Sequence, residues 1–184
     1  ILIDGNKYRK QYLYQPAEVI QNSVRKKRNV LTLNVGVEKN VKGEMGVLSS
    51  KGILGFTRDV TQHYSTVISL MNTDLKLPVK PLNDSCNGIL FWDKNDEINT
   101  VSVKGIPNYF KIAKGDTIVT QGGAGFFPPG EMVGVVSSIQ NETGNNNLLL
   151  KVITSVDFYA VNHVFVVKNI YKNEIDSLQE IIDK

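Results

Sequence analysis

The sequence predicts an all-β fold of the sandwich or barrel type, on three observations. About ten short apolar runs recur along the 184 residues at the spacing of strands in such folds. Clusters of Gly, Asn, Asp and Pro punctuate them as turns. Only the tail carries apolar residues at helical spacing.

Taken in order, residues 1–20 mix charge with a scattered apolar set, and Pro16 biases Gln15 away from helix, so any entering helix ends there. Residues 29–36 alternate, with Leu31, Leu33 and Val35 on one face and Val30, Thr32 and Asn34 on the other, which predicts a half-buried strand. Val47-Leu48 and residues 53–57 flank the turn Ser49-Ser50-Lys51-Gly52, and residues 65–70 follow at hairpin spacing. Pro78 and Pro81 bracket Val79-Lys80 as an edge or crossing segment. Residues 83–88 turn the chain into Ile89-Leu-Phe-Trp92, and residues 94–97 turn it again into residues 99–103. Runs at 117–120, 132–139, 148–153 and 163–167 complete the strands. Tyr171, Ile175, Leu178 and Ile182 step by four, three and four, a short amphipathic helix.

The bulk numbers exclude several classes of function. A 41% hydrophobic content suffices for a core. With 21 basic against 18 acidic residues the excess is +3, and the run Arg25-Lys-Lys-Arg28 is too short to argue for nucleic acid. The single cysteine, Cys86, excludes an intramolecular disulfide framework and a cysteine-based metal site. No run approaches the ~18 apolar residues of a membrane span. The chain opens on Ile1-Leu-Ile3 without a methionine, as a segment of a longer protein with an upstream anchor would.

Candidate chemistry is sparse. Two histidines, His63 and His163, are the available general bases, but no serine sits in a nucleophile turn of the Gly-Asp-Ser-Gly kind, so both read as loop or strand-start residues. Asp93, Asp96 and Glu97 fall in a Lys- and Asn-rich turn, where carboxylates are solvated. The most unusual stretch is Gln121-Gly-Gly-Ala-Gly-Phe-Phe-Pro-Pro-Gly-Glu131. Gly122, Gly123 and Gly125 lead into Phe126-Phe127-Pro128-Pro129, which cannot open a phosphate-binding helix, and no P-loop lysine follows. The two rings either plug a barrel mouth or present an apolar patch.

Four segments in order, residues 30–47, 52–56, 64–70 and 112–135, resemble the rod shape-determining protein MreC family, in the style of its Bacteroidetes-type members. The last is the most specific, with its glycine loop followed by Phe127-Pro-Pro-Gly-Glu-Met-Val-Gly-Val135. The resemblance covers residues 16–167. It implies two small β-barrels related in shape to the chymotrypsin-like fold, without a catalytic triad and with short flanking helical segments. It also implies a discontinuous first barrel at 29–71 and 137–168, a second barrel at 72–136 inserted into it, an entry segment at 1–28 ending an upstream coiled coil, and a tail helix at 169–184. In such a return, Gly122, Gly123, Gly125 and Gly130 permit tight turns and Pro128-Pro129 stiffen them.

What the family implies for function is a non-enzymatic periplasmic scaffold of the cell-elongation complex. It would organise peptidoglycan synthases, maintain rod shape, and be tethered to the inner membrane through an upstream anchor missing from this sequence. The implied partners are a penicillin-binding protein 2-type transpeptidase, MreD and other elongation proteins, together with further copies of itself, and no nucleic acid, cofactor or metal. Phe126, Phe127, Ile106, Tyr109 and Phe110 are the expected partner face, because four rings fall in segments that read as loops. The alternative from another class is a two-barrel chymotrypsin-like hydrolase, which requires a nucleophile within hydrogen-bond reach of a histidine.

Overall fold

The structure, a computed structural model, describes residues 11–122 and 125–182. The strands are β1 (Tyr12–Asn22), β2 (Arg28–Leu33), β3 (Gly46–Ser49), β4 (Gly52–Val60), β5 (Ser65–Asn72), β6 (Lys76–Pro81), β7 (Gly88–Phe91), β8 (Thr100–Pro107), β9 (Thr117–Thr120), β10 (Met132–Asn141), β11 (Asn147–Thr154) and β12 (His163–Asn169). They close into two antiparallel barrels, in the order β1-β12-β3-β4-β5-β2 and β10-β11-β8-β7-β6-β9. The helix α1 (Lys172–Ile182) follows.

Alternation decides which face of each strand is buried. In β2, Leu31 and Leu33 turn inward while Val30 and Thr32 lie between. β11 repeats the rule with Leu148, Leu150, Val152 and Thr154. β6 does so with Leu77, Val79 and Pro81, which puts Pro78 on the outer face. The inward residues of both barrels join one continuous apolar cluster, each large side chain contributing roughly 1.5–3 kcal/mol by burial. Closure of so small a barrel bends its strands sharply, and register shifts in β4, β8 and β10 supply the bends. At Gly55 the neighbouring strand comes so close that a Cβ would lie 1.8 Å from the Ile68 carbonyl oxygen.

The second barrel is inserted into the first, which the chain leaves after β5 and rejoins at β12. Two boundaries differ from the sequence expectation. Residues 12–22 form a strand of the first barrel rather than the end of a helical entry segment; residues 1–10 lie outside the described residues. Pro16 does not break β1 because β2 pairs with it only from Val19 onward, so at Pro16 the strand has one neighbour, Phe165 of β12, and needs no second donor. The return to the first barrel comes after Thr154, not at residue 137, because β10 and β11 pair with β9 and β8. Local alternation tells a strand which way to face but not which barrel to join. No described helix is long and apolar enough to cross a membrane.

Candidate interaction surfaces and the loop between the barrels

Residues 121–131 connect β9 to β10 and are closed at their base by one side chain. The Thr120 N–H donates to the Glu131 carbonyl at 2.9 Å, and the Gly130 N–H donates to the Thr120 carbonyl at 2.9 Å. The Thr120 hydroxyl donates to the Pro128 carbonyl at 2.7 Å and accepts from the Glu131 N–H at 3.0 Å. Gly122 has φ +84° and lies against Pro129, where a Cβ would meet the ring at 2.8 Å. Gly125 and Gly130 take the same left-handed backbone. Gly123 lies outside the described residues. Pro128 is buried and Pro129 exposed.

The paired rings have different fates. Phe127 is 2% exposed and lies over Gly46 of the first barrel, where a Cβ would come within 2.7 Å of the ring. Phe126 is half-buried and stacks on Phe56 of the same barrel, with centroids 5.1 Å apart and planes inclined by 13°. Lys172, the first residue of α1, sets its ammonium 5.2 Å from the Phe126 centroid and pairs with Glu44 at 2.9 Å. The loop thus grows from the second barrel and is seated on the first. At its far foot, burial pushes the Glu131 carboxyl above its ordinary pKa.

The expected partner face divides accordingly. Phe127 and Ile106 are core residues, 2% and 0% exposed, and cannot touch a partner; Ile106 packs beneath Gly88 of β7, filling the space a Cβ there would need. Tyr109 is 75% exposed and leans on Phe110 at 4.8 Å between centroids. Their turn is held by the Asn108 N–H, which donates to the Asn146 carbonyl at 2.9 Å. That places them beside the far end of β10, whereas Phe126 belongs to the loop that enters its start and stacks on Phe56 of β4. A strand of that length spans about 30 Å, so these aromatic residues form two places and not one face. Phe56, Gly46 and Lys172, which complete the Phe126 site, were not singled out from the sequence. Only the aromatic at 56 beside an aromatic loop offered a signal, and it carried no register.

The hydrolase geometry is missing among the described residues. The His63 Nδ1 meets Glu38 at 2.9 Å, yet the neighbouring Ser65 hydroxyl is buried without a hydrogen-bond partner. His163 is exposed and lies 3.9 Å from Glu18. Ser102 does contact a lysine, Lys151, at 2.8 Å, but it is fully buried and donates to Asp96, so no substrate carbonyl can reach it. Burial, and then the nearby Asp84, push the Cys86 thiol upward and away from its reactive form. No cluster of three metal-ligating side chains occurs among the described residues.

Comparison with known proteins agrees with this architecture. A family profile described as rod shape-determining protein MreC, barrel core, matches residues 19–168. The cell shape-determining protein MreC of Listeria monocytogenes is 26% identical over 160 residues, covering 84% of this chain and 54% of that protein, so the chain spans about half the length of this curated relative. Among solved structures, MreC of Listeria monocytogenes superposes with a TM-score of 0.79 at 23% identity, over 86% of this chain and 76% of that one. A structure described as the major periplasmic domain of the cell shape-determining filament MreC gives 0.70 at 24% identity, over 86% and 96% of the two chains. A complex between penicillin-binding protein 2 and MreC from Helicobacter pylori gives 0.66 at 21% identity, over 86% and 99%. With two closed barrels and a profile match running from β1 through β12, this chain belongs to the MreC family of rod shape-determining proteins.

Proposed function

We propose that the chain is the periplasmic barrel core of a non-enzymatic scaffold that holds peptidoglycan synthases of the elongation complex together and so maintains rod shape. The observation that carries this reading is the family match over residues 19–168. It is supported by the likeness to the MreC of a solved complex with penicillin-binding protein 2 from Helicobacter pylori. A scaffold of this kind works by multivalency: several weak interfaces, held near one another beside the membrane by an upstream anchor, add through high effective concentration. The main partner is a penicillin-binding protein 2-type transpeptidase, with MreD, other elongation proteins and further copies of the chain as additional ones.

Of the five aromatic and aliphatic residues first considered, Tyr109 and Phe110 are the pair available for such contact. An exposed tyrosine braced by a second ring has the form of an interface anchor, since it offers large area with little rotamer entropy to lose. The test is calorimetric titration of this chain with the periplasmic domain of the same organism's elongation transpeptidase. Binding by the parent chain supports the scaffold, and Tyr109→Asp should weaken it by about tenfold or more while circular dichroism is unchanged. No binding by the parent chain would count against the barrels as the docking site, and undiminished binding by the variant would remove Tyr109 from the interface.

A further inference from the structure

The basic run of residues 25–28 acquires a partner surface only in the folded chain. It forms the turn between β1 and β2 of the first barrel, and it faces the turn between β7 and β8 of the second. Between them lies a cleft of about 430 Å³, lined by Arg25, Lys26 and Lys27 on one side and by Trp92, Lys94 and Asp96 on the other. Val24 and Ile98 add apolar walls. The four cations are exposed, and none of them makes an ion pair among the described residues, whereas Arg28 beside them is already taken by Asp74 at 2.7 Å.

The acidic groups nearby offset this charge only in part: the exposed Asp93 and Glu97 keep theirs, so the four cations face two carboxylates that make no ion pair among the described residues. Asp96 is bound to the Lys151 ammonium, accepts from the Ser102 hydroxyl at 3.2 Å and accepts from the Asp93 N–H at 3.3 Å. Asp93 in turn accepts from the Asn95 N–H at 2.8 Å. A second observation is independent of charge. Trp92, 5% exposed, lines the cleft, and its buried indole N–H has no hydrogen-bond partner. That nitrogen is shut off from solvent, so the indole contributes to the cleft as an apolar wall beside Val24 and Ile98 rather than as a surface donor.

We propose that this cleft between the barrels binds an acidic peptide segment of a partner protein, with carboxylates meeting Arg25, Lys26, Lys27 and Lys94 and apolar side chains of the segment packing on Trp92, Val24 and Ile98. Charge complementarity sets the sign of the ligand. The separation of the cations onto two turns favours a chain bearing several carboxylates over one compact ion. The apolar walls favour a peptide, whose carboxylates alternate with side chains that can bury there. Because each wall belongs to a different barrel, occupancy would fix the two barrels relative to one another. The inference does not depend on which protein docks at Tyr109.

Trp92 is the only tryptophan in the chain, so its indole N–H gives a single, assignable nuclear magnetic resonance signal inside the cleft. The probe is a synthetic ten-residue peptide of alternating Asp, Leu and Glu, titrated into the ¹⁵N-labelled chain at low and at physiological salt. The expected result is a saturable shift of the indole signal, weaker at higher salt and weakened about tenfold by the amide peptide in which Asn and Gln replace the acids. Lys26→Glu with Lys94→Glu should weaken binding by at least about tenfold, with the remaining spectrum unchanged; Phe91→Leu serves as a neighbouring variant that leaves the charge intact and should bind normally. An indole signal that stays still throughout would overturn the proposal. So would equal saturation by inorganic phosphate, which would mean a site for any small anion, or tighter binding of a single-stranded oligonucleotide than of the peptide.

Discussion

Replacing Phe127 by alanine tests whether the loop of residues 121–131 is held by its second ring. That ring is almost wholly buried and lies on a glycine of the other barrel, so the vacated space has backbone on one side and cannot collapse freely. Truncation of a buried phenylalanine costs about 3–5 kcal/mol, a large part of the roughly 5–15 kcal/mol available to a domain. With a urea dependence of about 2 kcal/mol/M, the midpoint should fall by about 1.5–2.5 M. The assay is equilibrium unfolding followed by Trp92 fluorescence and by circular dichroism. Phe126→Ala is the internal comparison. It loses one half-buried stack on Phe56 and a cation above it, together about 1–2 kcal/mol. A Phe127→Ala midpoint within about 0.5 M of the parent, or a larger loss in Phe126→Ala, would refute the assignment of the second ring as the anchor.

Three further perturbations bear on other parts of the fold. Asn99 stands at φ +66°, donates to Asp157 at 2.9 Å and accepts from the Phe158 N–H at 2.8 Å; Asn99→Ala should cost about 2–3 kcal/mol, read as a urea midpoint. Because burial raises the Glu131 carboxyl, its ionisation opposes folding above its folded pKa, and the penalty vanishes as pH falls below the ordinary value for glutamate. Glu131→Gln should therefore raise the unfolding midpoint at neutral pH, and the gain should disappear near about pH 4; a gain that persists in acid would point to packing instead. Gly55→Ala, whose Cβ would collide with the Ile68 carbonyl, should leave little soluble folded protein on expression, and a normally folded variant would show that β4 and β5 can separate.

Much of the fold was legible because a barrel strand advertises its inner face. Leu31, Leu33 and Val35 are buried as their alternation requires, and the four-three-four stepping of the tail does form a helix. What failed was non-local. β1 shows only Tyr12 and Ala17 buried along eleven residues, five positions apart and so out of step with a two-residue alternation; with a proline inside, it has no period to read. β11 alternates as well as any strand, yet the sequence expectation puts it and the part of β10 from residue 137 onward in the first barrel, since pairing is decided by partners far away in sequence. The same limit governs the candidate sites. Phe126 and Phe127 are chemically identical neighbours, and only the position of Gly46 and Phe56 beneath them separates a surface ring from a core one. Lys94 and Lys26 are unremarkable in isolation; the cleft exists because two turns of different barrels face each other.

The insertion of one barrel into the other also determines how the molecule carries load. Tension applied upstream of β1 and downstream of β12 enters two strands that are antiparallel neighbours, with Tyr12 opposite Asn169. Force at that end opens the ladder one rung at a time, as a zipper opens, rather than shearing all rungs together. The second barrel, whose chain connections to the first are those after β5 and before β12, lies off the line of force until that zipper has run, so a tethered molecule under pull would keep the surfaces of its second barrel intact while its first barrel yields.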